Sequence, residues 1–315
     1  MSPTLQAYTA GANIFNIVFR DQSFAGLWVG NSEPGSMGGA EHDQNKYVQL
    51  TFENTGNYGI TMNLSMLDKW LLLHCDFRGQ KKAGVRIAFQ NVMKGSMVSC
   101  RFEDIDGPGF DISGGNPEIS YVPSLFFVDQ CEFSECGNAN EPAVDLGYCT
   151  LSSIARTRIA GKKPVATGLR AAAQHYEDVI IEVKTAAEGA PVLDLRAVRD
   201  ITTSRANGHV LRNVTTNGPI AFIKDPNANP ARYDATLEKL KAQRTEYAKR
   251  TGEPVRPVDP VDFDQNPRLH ERPTANRWNH PFLFYRCKFG DTQHAYTLIN
   301  ADTANGKVVT SVKLQ

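Results

Sequence analysis

Residues 98–112 read VSCRFEDIDGPGFDI, which places a cysteine two positions before a phenylalanine, then an acidic turn, then a glycine that leads a short apolar run. The Cys-x-Phe unit recurs as HCDF at residues 74–77, QCEF at 130–133 and RCKF at 286–289. Apolar and polar residues alternate on both sides of the turn, and this alternation is typical of β-strands. A unit that recurs in this way predicts a repeat architecture rather than an isolated motif.

The phenylalanine of the unit sets a frame for the whole chain. The steps from Phe52 to Phe77 and from Phe77 to Phe102 are 25 residues each. Each repeat contains short strands and no helix, which predicts a coil of parallel strands that buries its apolar face against the neighbouring coils. The predicted fold is an all-β solenoid of about nine coils. Its anchors are Phe19, Phe52, Phe77, Phe102, Phe133, Ile159, Val183, Val214 and Phe289.

The Cys-x-Phe and Gly-apolar-x-apolar units resemble those of the right-handed parallel β-helix of the pectate-lyase-like superfamily. The resemblance covers roughly residues 12–225 and 281–300. It implies one β-helix domain over residues 1–315, with coils at roughly 12–225 and 281–315. Little sequence precedes the first coil to cover its apolar end, so we expect a cap in a longer parent protein or self-association through this N-terminal end.

The segment 226–280 interrupts the repeats and contains a predicted helix. Residues 231–250 read ARYDATLEKLKAQRTEYAKR, and the helical spacing of the apolar side chains places them on one face. These residues are Tyr233, Leu237, Leu240 and Tyr247. We expect this helix-containing insertion to pack on the side of the solenoid and cover apolar surface there; the alternative is a lid over a groove.

Composition excludes several classes of function. Lys and Arg number 34 and so do Asp and Glu, so no global positive field favours a nucleic-acid partner. No segment is apolar over the length that a membrane span needs, and the N-terminal sequence lacks the pattern of a signal peptide. Four of the six cysteines share the repeat position before the outward residue, which predicts small buried apolar side chains rather than zinc ligands.

Charges alternate in sign along the outward columns of the predicted strands. One column reads Asp76, Arg101, Glu132, Arg158 and Glu182, and a second reads Arg20, Glu53, Arg78 and Glu103. Opposite charges on neighbouring strands contribute roughly 0.2–1 kcal/mol per pair and help to fix the register. Glu103 of the opening stretch is therefore expected to form an ion pair with Arg78.

The outward column of the second strand breaks this alternation once. It reads Thr61, Arg86, Asp111, Asp145, Arg170 and Asp194, so that Asp111 faces Asp145. Two adjacent carboxylates repel unless they share a proton, bind a cation or are bracketed by positive charge. The column is either a structural network bracketed by Arg86 and Arg170 or a functional carboxylate pair. Relief of the repulsion predicts that Asp145→Asn leaves the stability unchanged or slightly higher, whereas a loss of more than about 2 kcal/mol without an effect on binding would indicate the structural network.

The resemblance implies several possible activities, because the superfamily includes calcium-dependent lyases, glycoside hydrolases, epimerases, tailspikes and adhesins. The polygalacturonase motifs are incomplete here, since no Gly-His-Gly turn is present. The resemblance therefore points to lyase-type cleavage of an acidic polysaccharide. Asp111, Asp145 and Arg170 would be catalytic, and the two aspartates would hold Ca²⁺.

Five further residues are predicted to line the same groove, and they are Arg86, Tyr148, His175, Asp194 and Arg196. A non-catalytic glycan-binding or structural β-helix, similar to a tailspike or an adhesin, is the alternative function. With either function, the resemblance implies an extracellular or cell-surface location.

Overall fold

A computed structural model gives the structure of the chain. It describes residues 5–7, 11–30, 41–63, 66–87, 92–112, 125–147, 149, 152–196, 209–223, 230–252, 254–255, 279–302 and 307–313.

Within these residues the elements are 29 strands and one helix. In chain order they are β1 (Leu5–Ala7), β2 (Asn13–Phe15), β3 (Val18–Arg20), β4 (Ala25–Gly30), β5 (Glu41–Asp43), β6 (Lys46–Val48), β7 (Thr51–Glu53), β8 (Tyr58–Asn63), β9 (Met66–Leu73), β10 (Asp76–Arg78), β11 (Ala83–Ile87), β12 (Val92–Val98), β13 (Arg101–Ile105), β14 (Phe110–Asp111), β15 (Phe127–Asp129), β16 (Glu132–Cys136), β17 (Val144–Leu146), β18 (Ser153–Ala155), β19 (Arg158–Val165), β20 (Leu169–Ala171), β21 (His175–Glu177), β22 (Ile180–Thr185), β23 (Leu193–Arg196), β24 (His209–Arg212), β25 (Thr215–Thr216), β26 (Ile220–Ile223), α1 (Pro230–Thr251), β27 (Asn279–Phe289), β28 (Thr292–Asp302) and β29 (Lys307–Lys313).

Three ladders of parallel strands form the body of the molecule. Sheet A contains nine strands in the order β1-β4-β8-β11-β14-β17-β20-β23-β26. The phenylalanine ladder runs β3-β7-β10-β13-β16-β19-β22-β25. The flank ladder runs β2-β6-β9-β12-β15-β18-β21-β24. Strands that recur in this order form a parallel β-solenoid, as the repeats predict.

The C-terminal end of the solenoid changes from parallel to antiparallel pairing. Strand β27 pairs in parallel with the last strand of both the flank and the phenylalanine ladders. Its other edge pairs antiparallel with β28, which in turn pairs antiparallel with β29. The edge that the last coil presents is therefore hydrogen-bonded to a hairpin.

A stack of phenylalanine rings fills the interior beside the phenylalanine ladder. The ring centroids of Phe77 and Phe102 lie 4.6 Å apart, with the ring planes 2° from parallel. Phe102 stacks on Phe133 at 4.6 Å, and Phe52 stacks on both Phe19 and Phe77 at 4.8 Å. All five rings are buried. The Cys-x-Phe unit therefore recurs because parallel, in-register strands place each ring on the previous one.

A column of glycines makes room for these rings, which explains the glycine that leads the second strand. A Cβ atom would lie 2.5 or 2.6 Å from the Cδ1 atom of the ring in the next coil, closer than such atoms can approach. The pairs are Gly26 with Phe52, Gly59 with Phe77, Gly84 with Phe102 and Gly109 with Phe133. In the next coil the ladder carries Ile159 in place of phenylalanine, and the glycine position holds Ala143.

One corner of each coil uses a left-handed backbone conformation at a residue other than glycine. The residues between the flank and phenylalanine ladders have φ between 44° and 55°, and they are Asn16, Gln49, His74, Ser99, Gln130, Arg156, Asp178, Asn213 and Arg286. The N–H of His74 donates to the carbonyl of Val98 at 3.1 Å, and the N–H of Ser99 donates to that of Asp129 at 3.0 Å. The ladder hydrogen bonds therefore continue through the corner, which offsets the cost of the conformation.

Two of the predicted anchors, Val183 and Val214, were wrong by two residues. Ile159 pairs with Ile181 rather than with Val183. Ile181 in turn pairs with Thr216 rather than with Val214, and Thr216 pairs with Phe289. A shift of two residues keeps the same side chains inside, so alternation alone could not identify it.

Several of the predicted ion pairs of the phenylalanine ladder are confirmed. Nε of Arg78 donates to Oε2 of Glu103 at 3.1 Å, so Glu103 has a structural role. Nε of Arg20 lies 2.6 Å from Oε2 of Glu53. The predicted position of Glu182 next to Arg158 in the outward column was wrong. Glu182 pairs in register with Ala160, and its side chain reaches Arg158 diagonally at 3.0 Å.

The predicted helix of the insertion is present as α1. Tyr247, which we placed on the packing face, is exposed, whereas the neighbouring Ala248 is buried. The side chains of Tyr233, Leu237 and Leu240 lie outside the described residues. Whether the insertion packs on the solenoid stays a prediction.

The first coil carries several exposed apolar side chains, and these are Leu5, Phe15, Ile17 and Val18. Self-association through this end stays a prediction. Within the described residues, none of the helical sequence has the length and apolar character that would let it cross a membrane.

We predict that Gly109→Ala destabilises the protein by about 1–3 kcal/mol, because the added Cβ would lie 2.5 Å from Cδ1 of Phe133. The double variant Gly109→Ala with Phe133→Ile recreates the Ala143 and Ile159 combination of the next coil. Urea unfolding followed by circular dichroism should show that the double variant loses less stability than the two single variants combined. Strictly additive losses would mean that the glycine and the ring do not share this space.

We also predict that thiol reagents label the cysteines only after unfolding. All six are buried and free, and burial raises the pKa of Cys136 and Cys149 to about 12. A hydrogen bond with Cys100 lowers the pKa of Cys75, so that thiol is protected by its burial alone. The thiolate is the reactive form, so labelling of the native protein should stay slow even at pH 9, where an ordinary thiol with a pKa of about 8.5 reacts quickly. Rapid labelling of the folded chain, followed by absorbance, would contradict the inward frame of these residues.

Candidate functional site

The outward column of sheet A places five charged side chains on consecutive strands. Arg86 pairs in register with Asp111, Asp111 with Asp145, Asp145 with Arg170, and Arg170 with Asp194. Parallel strands in register lie about 4.8 Å apart. The repeat therefore brings Asp111 next to Asp145, as the sequence predicts.

The carboxylates of this column are buried although they point away from the core. Each aspartate follows a core residue in its strand, as Asp111 follows Phe110 and Asp145 follows Val144. Only 11% of the Asp111 side chain, 5% of the Asp145 side chain and 3% of the Asp194 side chain is exposed. The two guanidinium groups are the exposed members of the column, with 36% for Arg86 and 26% for Arg170. A ligand at this surface would therefore meet arginine rather than carboxylate.

Arg170 joins two of the buried aspartates. Its Nη1 donates to Oδ2 of Asp145 at 3.1 Å, and its Nε lies 3.4 Å from Oδ2 of Asp194. The other oxygen of Asp145, Oδ1, accepts a hydrogen bond from the backbone N–H of Gly147 at 3.0 Å. A Cβ at Gly147 would lie 2.9 Å from this oxygen and 3.2 Å from Cδ of Arg170, so a larger residue here would have to displace one of these two side chains.

Arg86 occupies the other end of the charged column. Its Nε lies 3.9 Å from Oδ2 of Asp111, and its Nη1 donates to the hydroxyl of Tyr58 at 2.6 Å. The central carbon of the guanidinium is 5.5 Å from the centre of the Tyr58 ring. The predicted bracket of arginines around the aspartate pair is thus a set of ion pairs, with one arginine on each outer side.

Sequence reasoning missed an aromatic cluster at the same surface. Trp28 pairs with Thr61 and Thr61 with Arg86, so Trp28 belongs to the same outward column. The rings of Trp28 and Phe24 lie 5.5 Å apart, and Phe24 meets Tyr58 edge-on at 5.6 Å. The sequence contains the signal, because one more step along the outward column, from Thr61 toward the N-terminus, reaches Trp28.

Three predicted groove residues are not placed in this column. Tyr148 lies outside the described residues, and so does the side chain of Arg196, whose backbone pairs with Ile223 in sheet A. His175 lies in β21 of the flank ladder, where it is exposed and pairs with Ser153 and Val210.

The described donor set does not fit a calcium ion. Calcium takes six to eight oxygen ligands, whereas the oxygens of Asp145 already accept from Arg170 and Gly147. Within the described ranges, no cluster of three or more His, Cys, Asp or Glu side chains has the geometry to hold a metal. The arrangement instead orients two partly exposed guanidinium groups, which can bind anions.

Comparison of the chain with protein-family models, with curated proteins and with solved structures finds no match.

The contacts of Asp145 change the stability that we expect for the Asp145→Asn variant from unchanged or slightly higher to lower. We predict that Asp145→Asn destabilises the protein by about 2 kcal/mol, because it removes the charge that compensates the guanidinium of Arg170. The midpoint of urea unfolding measures this change. Asp76→Asn is the matched control, since Asp76 is exposed on the phenylalanine ladder and should change stability by less than about 0.5 kcal/mol. An unchanged or higher midpoint for Asp145→Asn would mean that repulsion from Asp111 dominates.

Proposed function

We propose that the chain is a right-handed parallel β-helix of the pectate-lyase-like type, with about nine coils, and that it binds an acidic polysaccharide on the outer surface of sheet A without cleaving it. The observation that carries the proposal is the inverted exposure of the charged column. Its carboxylates are covered and its guanidinium groups are partly exposed.

The free donors of the two arginines support an anionic ligand. The described contacts of Arg170 use Nη1 and Nε, and those of Arg86 use the same two nitrogens. In the part of the chain that the structure describes, no side chain or carbonyl accepts a hydrogen bond from either Nη2. Each guanidinium therefore keeps Nη2 to donate to an anion, such as the carboxylate of a uronic acid.

The same contacts favour binding over catalysis. A lyase requires a base that is free to take a proton and a means of stabilising the resulting anion. Asp145 is held by Arg170 and by the N–H of Gly147, and Arg170 is held by two aspartates. The residues that would carry out the chemistry are therefore already engaged in the fold, which is the arrangement of a rigid recognition surface.

Lyase-type cleavage remains the second candidate because Asp111 and Asp145 are adjacent in register. Two neighbouring carboxylates have no evident benefit to a scaffold that alternates its charges elsewhere. In this second function the pair would act with Arg170 on a uronate. An extracellular or cell-surface location is the expectation under both functions.

We predict that the purified protein binds alginate, pectate or a glycosaminoglycan in titration calorimetry and releases no unsaturated uronate, measured by its ultraviolet absorbance, with or without added calcium. Arg170→Lys should weaken binding about tenfold, or about 1.4 kcal/mol, because lysine keeps the charge and loses the planar fork. Arg101→Lys, on the phenylalanine ladder, is the matched control and should bind like the wild type. Time-dependent product that disappears in Asp145→Asn would favour the lyase instead.

A further inference from the structure

An aromatic cluster lies beside Arg86, at the end of the network of charges. It contains Trp28, Phe24 and Tyr58, together with Arg86, which contacts Tyr58 through its Nη1. Trp28 and Phe24 are partly exposed, whereas Tyr58 is buried beneath them. In a hydrophobic core the largest rings are buried, and Trp70 elsewhere in the chain is an example. Here the largest aromatic side chain is the one that reaches the surface.

The cluster and the charges lie on one outward column. Trp28 is followed by Thr61, Arg86, Asp111, Asp145 and Arg170 on consecutive strands. Five steps of about 4.8 Å separate Trp28 from Arg170, so the column spans about 24 Å along the solenoid. A ligand that contacts both ends must be extended and must run across the strands.

We propose that Trp28, Phe24 and Arg86 form a subsite for a uronic acid unit at one end of this column, with the polysaccharide running from there toward Arg170. This inference rests on the proposed function and adds the direction of the chain and the chemistry of its terminal subsite. The apolar C–H face of the pyranose ring packs on the indole, and the ring carboxylate accepts hydrogen bonds from Nη2 of Arg86.

The chemistry of this subsite selects its ligand. An aromatic surface alone would accept neutral sugars, and an isolated arginine would accept phosphate or sulfate. The two together match a sugar that carries a carboxylate on its own ring. Tyr58 fixes the guanidinium by accepting from Nη1 at 2.6 Å, and Asp111 lies 3.9 Å from Nε, which leaves Nη2 for the ligand.

Titration calorimetry with oligouronates of increasing length tests the proposal. The affinity of the wild-type protein should rise with length until the ligand spans the column, and a neutral oligosaccharide of equal length should bind at least tenfold more weakly. Trp28→Ala and Arg86→Lys should each weaken the binding of a long oligouronate about tenfold and should flatten its dependence on length. Phe127→Ala, which removes an exposed ring on the flank ladder, is the control and should leave the affinity unchanged.

A second measurement covers the case in which Trp28→Ala does not fold. Ligand should change the tryptophan emission of a Trp278→Phe variant and should not change that of the double variant Trp28→Phe with Trp278→Phe, because the remaining Trp70 is buried away from the surface. The subsite is overturned if ligand leaves the emission of Trp28 unchanged and Arg86→Lys binds like the wild type while Arg170→Lys is impaired, and the proposed function then survives. If the wild-type protein binds no oligouronate of any length, both proposals are overturned.

Discussion

The structure depends on the contact between a phenylalanine ring of one coil and a glycine of the coil before it. Rings 4.6–4.8 Å apart match the spacing of hydrogen-bonded parallel strands, so stacking and backbone pairing favour the same register. A side chain at the glycine position would force the ring aside and break this agreement, as the approach of Gly109 to Phe133 illustrates. The interior contacts therefore fix the register of each coil relative to the next.

The surface columns follow from this fixed register. Because equivalent positions stack, one residue type per coil becomes a continuous line of neighbours along the solenoid. On the phenylalanine ladder the line is a series of exposed ion pairs such as Arg78 with Glu103, each of small energetic value. On sheet A the same geometry produces a buried network, in which Arg170 is held between Asp145 and Asp194. Loss of one partner from such a buried network strongly destabilises the protein, and the network can hold a guanidinium in one orientation.

Burial changes the interpretation of the aspartate pair. In the sequence Asp111 and Asp145 look like the reactive groups, because two like charges are adjacent. In the structure their oxygens face arginines and a backbone N–H, and the arginines are the groups that meet the solvent. The carboxylates then act as supports for the guanidinium groups, and the aromatic cluster at Trp28 extends the same surface by two strands.

The sequence by itself determined the repeat, the inward frame of the Phe and Cys residues and the membership of the sheet A column. These features depend on side-chain alternation, which a single chain displays. It could not determine the register of the weak coils, where Ile181 and Val183 both point inward and a shift of two residues preserves the pattern. It also could not determine the left-handed corners at residues such as Gln49 and Arg156, because their stability comes from hydrogen bonds to the next coil. The exposure of Arg170 and the burial of Asp145 were decided by the tertiary structure alone, since solvent access depends on the segments that pack over a residue.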